Sequence, residues 1–323
     1  MQRPEPSWPQ VIATTVRLWL DRHPVAGIKM TGWRLLALVA GAVIVISAAV
    51  TGIVIGGQAA PAARATLHDQ ATSSGSQSAA SLEAATATRA SAARWVSAQV
   101  GPSAIVSCDP AMCAALQASG VAASRLVVLG TAAPDPLGSD LVIASPAVRS
   151  QFGARLAGVY APEVIASFGS GTGRIDIRAV APGGTAAYDS QLAADLSARI
   201  AAGRQLIGNH RITMPAAAKA ALRAGQVDSR LLAMLAALAA QRPIRILAFD
   251  DSSPGASAAI PLRGAEIAPA RAGGHTAARL RTMLSFLEAQ RLPFLPMRAT
   301  VDRKSTLSVD YAAPSPLGLL SGN

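Results

Sequence analysis

Charge, aromatic rings and cysteine are all scarce in this sequence. Charged side chains make up 15% of the 323 residues and aromatic ones 4%, where a soluble domain usually carries roughly 25% charge. So little charge beside 51% apolar residues excludes a disordered polyelectrolyte. Two cysteines exclude a small scaffold stapled by many disulfides. Only four histidines occur, His23, His68, His210 and His275. His23 precedes the one long apolar run and His68 follows it. Neither His210 nor His275 stands at metal-ligand spacing from a Cys, a carboxylate or a second His, so neither a metal nor a cofactor is expected. Long hydrophobic runs are equally rare. A single stretch is long enough to cross a bilayer, which excludes a multi-span transporter.

That stretch is Leu35–Ile55, 21 residues without a charge. As a helix it rises 1.5 Å per residue, which matches a hydrocarbon core of roughly 30 Å. Trp33 and Arg34 suit one interface; Gly56, Gly57 and Pro61 end the run at the other. The reading is one transmembrane helix at 33–56, against a buried core helix or a cleaved signal peptide, whose apolar region is usually only about 7–15 residues. Arg3, Arg17, Arg22, Lys29 and Arg34 precede the run, and only Arg64 follows before Asp69. The positive-inside rule then makes 1–32 a cytoplasmic N-terminal segment and puts the rest outside the cell membrane. Trp8, Val11, Ile12, Val16, Trp19 and Leu20 recur at helical spacing, as in an amphipathic helix lying on the lipid bilayer. A partner helix or an irregular tail are the other readings of that segment.

The formal net charge is +11, yet the basic residues are scattered along the chain, with no cluster beyond Arg303-Lys304. A nucleic-acid reader concentrates its charge on one face, so nucleic acid is not an expected partner. Attraction to an anionic envelope polymer or to lipid headgroups is the simpler expectation.

Beyond the run, 57–80 is rich in Ala, Ser, Thr, Gly and Gln and reads as a flexible tether. A helix follows from Ser81 to Val100, stopped by Gly101-Pro102. Strands are expected at Ala104–Ser107, Leu126–Leu129 and Leu141–Ala144, and a helix at Pro110–Ser119. Ser145-Pro146 reads as a helix cap followed by Pro at the first helical position. Val159–Phe168 and Arg174–Ala181 pair as a hairpin around Gly169–Gly173. These elements make an α/β domain over 81–181. A second α/β (α+β) unit, 182–323, holds helices at Ala186–Ala202, Asp228–Gln241 and Thr276–Gln290. It also holds a strand at Ile244–Phe249 and a last hairpin, Met297–Asp302 with Thr306–Tyr311. The expected fold is thus an α/β (α+β) extracytoplasmic region of one or two small domains behind a single transmembrane helix.

One local constellation has a sharp physical reading. Asp109 is a helix N-cap and Pro110 suits the first helical position. Cys108 and Cys113 then occupy the two positions that touch in a hydrophobic staple. Two adjacent thiols outside the membrane end as a disulfide. A redox site at a helix N-terminus is the functional alternative, although four residues separate the cysteines and no thioredoxin-like pattern surrounds them. Among polar residues, Asp250-Asp251 ends a strand, where adjacent side chains point to opposite faces. With Glu266, His210 and His275 they complete the candidates for an unrecognised active site.

Several segments resemble a family of actinobacterial single-pass membrane proteins: Ala93–Val96, Val106–Cys113, Val148–Gly153, Val164–Gly169, Gly225–Arg230 and Ala313–Leu320. The resemblance implies an address and an architecture without a reaction. Residues 90–150, with Trp95 before a strand ending at Asp109, are similar to the extracytoplasmic domain of some lipid-linked-sugar glycosyltransferases. Residues 225–267 resemble a degenerate segment of zinc D-Ala-D-Ala carboxypeptidases. At Ser257–Ile267 that family's metal-binding His and Asp are missing, with Glu266 near the Asp position. The chain therefore reads as a membrane-anchored, non-catalytic binding or structural component of the cell envelope, partnered by lipid bilayer, envelope polymer or another membrane protein. A cell-envelope hydrolase or carrier is the alternative.

Overall fold

The computed structural model of the protein describes residues 67–130, 134–251, 253–270, 276–302 and 305–320. The expected span at 33–56 lies outside them, as do His275 and the Arg303-Lys304 turn. Among the described residues no helix is long and apolar enough to cross a membrane. Helix α1 is Leu67–Gln99, so the expectation of a flexible tether over 57–80 is corrected from Leu67 onward. Ala, Gln and Leu favour helix there, and no proline interrupts it.

The first sheet contains β1 (Val106–Cys108), β2 (Leu126–Val128), β3 (Leu141–Ala144), β4 (Val164–Phe168) and β5 (Ile175–Ala179) in the order β2-β1-β3-β5-β4. β1 runs parallel to β2 and β3, whereas β5 is antiparallel to β3 and β4. Every side chain of β3 is buried, because both sheet faces are covered. Leu141 and Ile143 share a core with Met112 and Leu116 of α2 (Pro110–Ala118) and with Trp95 and Val96 of α1. Val142 and Ala144 pack instead with Val148 and Phe152 of α3 (Pro146–Phe152). The expected strand at Val159–Phe168 is shorter than the pattern implied, since Leu156–Tyr160 forms a π-helical turn.

After α4 (Thr185–Gly208) the second sheet gathers β6 (Ile212–Thr213), β7 (Ile244–Asp250), β8 (Gly264–Pro269), β9 (Arg298–Val301) and β10 (Leu307–Asp310) in the order β6-β7-β8-β10-β9. Helices α5 (Ala216–Arg223), α6 (Ser229–Gln241) and α7 (Thr276–Glu288) complete this half. Ile246, Ile267, Leu307 and Val309 face Leu231, Leu235 and Leu238 of α6 and Leu280 and Leu287 of α7. The other face carries Arg245, Asp250, Glu266 and Thr300, all exposed. A buried apolar face opposite exposed polar side chains is that of a sheet with one wet face.

The boundary expected at 181/182 separates the two sheets, yet Ser78–Gly322 is one compact unit. Val100 bridges Ala313, whose side chain belongs to the first core. Along the edge of β4, Ser167 N donates to Pro254 O at 2.7 Å and Ser257 N to Val164 O at 2.8 Å. The fold is therefore mixed α/β with two small sheets.

Candidate functional site

The two cysteines lie where the cap argument put them. Asp109 Oδ1 accepts from Ala111 N and Met112 N at 3.0 and 3.1 Å, and Pro110 opens α2. Cys108 and Cys113 form a disulfide with Cα atoms 5.5 Å apart, and both residues are buried. The bridge ties the first turn of α2 to the end of β1. The second oxygen of Asp109 accepts from Ser145 Oγ, the cap of α3, at 2.5 Å, so this carboxylate is engaged in holding two helix starts side by side.

Asp250 and Glu266 come together, and a third carboxylate joins them. Asp250 pairs in register with Gly264, which pairs in turn with Asp310. A Cβ on Gly264 would run into Asp250 Oδ1 and meet Asp310 Oδ1 at 3.0 Å, so both carboxylates overhang that glycine. Burial first, and then Asp310, Glu266 and Asp251, push the Asp250 carboxyl above its ordinary range. Such a group takes a proton more readily than an ordinary aspartate. Arg298 Nε stands 3.8 Å from Asp310. Sequence reading overlooked Asp310, because only the pairing of β10 with β8 brings it to Asp250.

Asp251 points elsewhere, as adjacent strand residues must. Its Oδ1 accepts from Arg263 Nη2 at 2.8 Å and from Ser253 Oγ at 3.0 Å. Arg263 is buried, donates to Tyr311 O at 3.1 Å and lies 5.9 Å from the Trp95 ring. That group joins parts of the core. His210 is also apart from the acids. It precedes β6, at the Ile244 end of β7, and six strand steps to Asp250 span roughly 20 Å. Among the described residues no group of three or more His, Cys, Asp or Glu is placed to hold a metal ion.

His210 belongs instead to an open cleft of about 770 Å³, lined by His210, Arg211, Thr213, Arg242, Pro243, Pro269, Ala270, Arg279 and Met283. Three of the scattered arginines thus line one cleft. Backbone bonds hold the segments that carry them. Ile244 N donates to Arg211 O at 2.9 Å and Ala270 N to Pro243 O at 3.2 Å, while Arg211 N donates to Asn209 Oδ1 at 2.9 Å. Three arginines and a histidine line one space, and among the described residues no Asp or Glu lines it. An arrangement of this kind attracts anions and supplies forked donors for their oxygens. Nothing in the spacing of Arg211, Arg242 and Arg279 announced it, since whole elements separate them.

No protein family, curated protein or solved structure matches the chain.

Proposed function

We propose that this chain is a membrane-anchored protein of the cell envelope, with its N-terminus in the cytoplasm and a non-catalytic binding module outside. The uncharged run with its basic flank supports the anchor and its direction. The Cys108–Cys113 disulfide agrees with an oxidising compartment. For binding rather than catalysis, the observation that carries the reading is the layout of the second sheet. Arg211, Arg242 and Arg279 line one cleft at its Ile244 end, whereas Asp250 and Asp310 share the open face at its other end. At roughly 20 Å the two are separated by more than two Debye lengths of about 8 Å at physiological salt. His210 therefore has no acid to work with at Asp250, and Asp251 is committed to Arg263. The partner is an anionic component of the envelope.

The test is protease added to intact, wall-stripped cells that make the chain with a tag at each end. Loss of the C-terminal tag with retention of the N-terminal one fits the proposal. Protection of both tags until the membrane is lysed refutes it. The enzymatic alternative, an envelope hydrolase or carrier, draws on the Asp250–Asp310 pair, and an envelope-polymer turnover abolished by Asp250→Asn would establish it instead.

A further inference from the structure

We propose that the cleft between the starts of β6 and β7, the end of β8 and α7 binds a phosphoryl group carried on an organic body. This deepens the binding reading above and rests on it, and names the ligand's chemistry. Arg211, Arg242 and Arg279 come from three separate segments and line one space. A guanidinium stays charged at any physiological pH and offers a planar fork of donors that matches phosphate oxygens. A monocarboxylate has two oxygens and is satisfied by one such fork. Forks from more than one direction, those of Arg211 and Arg242, suit an acceptor with more oxygens and more charge, which a phosphate ester has.

The cleft is prepared before any ligand arrives. The main chain at Arg211 is held by Ile244 N and Asn209 Oδ1, and that at Pro243, beside Arg242, by Ala270 N. Neither the Arg211 nor the Arg242 side chain forms an ion pair with a described acid. Their charges are therefore available, and binding does not first have to break a salt bridge. Thr213 adds a hydroxyl to the wall.

Size argues for more than the bare ion. About 770 Å³ lies within the range of roughly 300–1,000 Å³ usual for small-molecule sites and far exceeds one phosphate. Pro243, Pro269, Ala270 and Met283 supply an apolar wall for the organic part. The phosphate ester can be a soluble compound or a lipid headgroup, which share this chemistry.

The experiment uses the full chain in phosphatidylcholine nanodiscs, titrated calorimetrically with glycerol phosphate and, at matched ionic strength, with acetate. Glycerol phosphate should bind saturably and acetate should not. Arg211→Gln and Arg242→Gln should each weaken binding roughly tenfold or more, as expected for one charge-assisted contact. Arg245→Gln, at an exposed position of β7 outside the cleft, should leave it unchanged. Repeating the titration in discs containing phosphatidylglycerol separates the sources. A weakened apparent affinity assigns the lipid headgroup, and an unchanged one assigns a soluble phosphate ester. Absence of saturable binding, equal affinity for acetate, or cleft variants that fold and bind like the parent would overturn the proposal. So would an equal loss in Arg245→Gln, which would mean diffuse surface charge. None of these results touches the tag-protection test of the chain's location, so the two readings fail separately.

Discussion

Asp228 is the residue on which the second core is most exposed to a single change. Its side chain is wholly buried, and it caps α6 by accepting from Arg230 N at 2.8 Å. The same carboxylate accepts from Arg230 Nε at 2.9 Å and Nη2 at 2.7 Å. Arg230, itself buried, also donates to Ala312 O at 2.8 Å and lies 5.0 Å from the Tyr311 ring. Asp228→Asn keeps the shape and an acceptor for the cap but removes the countercharge. Breaking a buried pair in this way costs about 3–5 kcal/mol, because one charge stays buried without its partner. The Ala312 carbonyl and the Tyr311 face remain, which places the loss near the lower end. For a protein of this size, about 3 kcal/mol lowers Tm by roughly 6–12 °C.

The assay is thermal unfolding of the full chain followed by near-UV circular dichroism. Adding Arg230→Met to Asp228→Asn should recover part of the loss, since no unpaired charge is then left inside. Acid sharpens the test. Burial alone would raise the Asp228 carboxyl, but the Arg230 hydrogen bonds and charge hold it below its ordinary value. A folded-state pKa below the unfolded one gives stability that is present above the unfolded value, about 3.9, and lost as pH falls through the folded one. The gap between parent and Asp228→Asn should therefore close in acid. A Tm within 2 °C of the parent at neutral pH, at about 2–4 °C per kcal/mol, would refute this account of the pair.

Three further outcomes follow from other contacts. Replacing Cys108 and Cys113 by Ala should cost about 2 kcal/mol for so short a loop and lower Tm by roughly 4–8 °C with the fold intact; mass spectrometry after alkylation without reductant should find no modified thiol in the parent. Asp250→Asn should raise Tm at neutral pH and leave it unchanged in strong acid, because a folded pKa above the unfolded one gives stability at low pH that is lost as pH rises through it; a pH-independent effect speaks against carboxylate crowding. Gly203→Ala should destabilise by about 1–3 kcal/mol despite better helix propensity, since its Cβ would run into the Leu222 carbonyl of α5; chemical denaturation measures it.

Local signals carried much of the fold. Asp109, Ser145 and Asp228 were legible as caps because a short polar acceptor before an apolar run satisfies nearby N–H groups whatever the tertiary context. The disulfide was legible for the same reason, being a contact within one helical turn of a cap. Elements that depend on distant partners were not. β8 lies in a glycine- and proline-rich stretch and takes its strand form from pairing with β7 and β10. β6 is two residues held by β7. On α4, Asp195 and Arg199 stand at i,i+4, a spacing that by itself does not distinguish an exposed pair from a buried one. They are buried, bonded at 2.7 Å, with Asp195 also accepting from Gly318 N at 3.1 Å. The cleft was illegible because its arginines share no element, and Asp310 because its role exists only across strands.

The claim on which the rest depends is that the folded region lies outside the membrane with its N-terminus inside. A reporter active only outside the cytoplasm, fused after Asn323, tests it most directly. The account predicts full activity with that fusion, and none with a partner reporter that works only in the cytoplasm. The reverse pattern, a cytoplasm-dependent reporter active after Asn323, would contradict it.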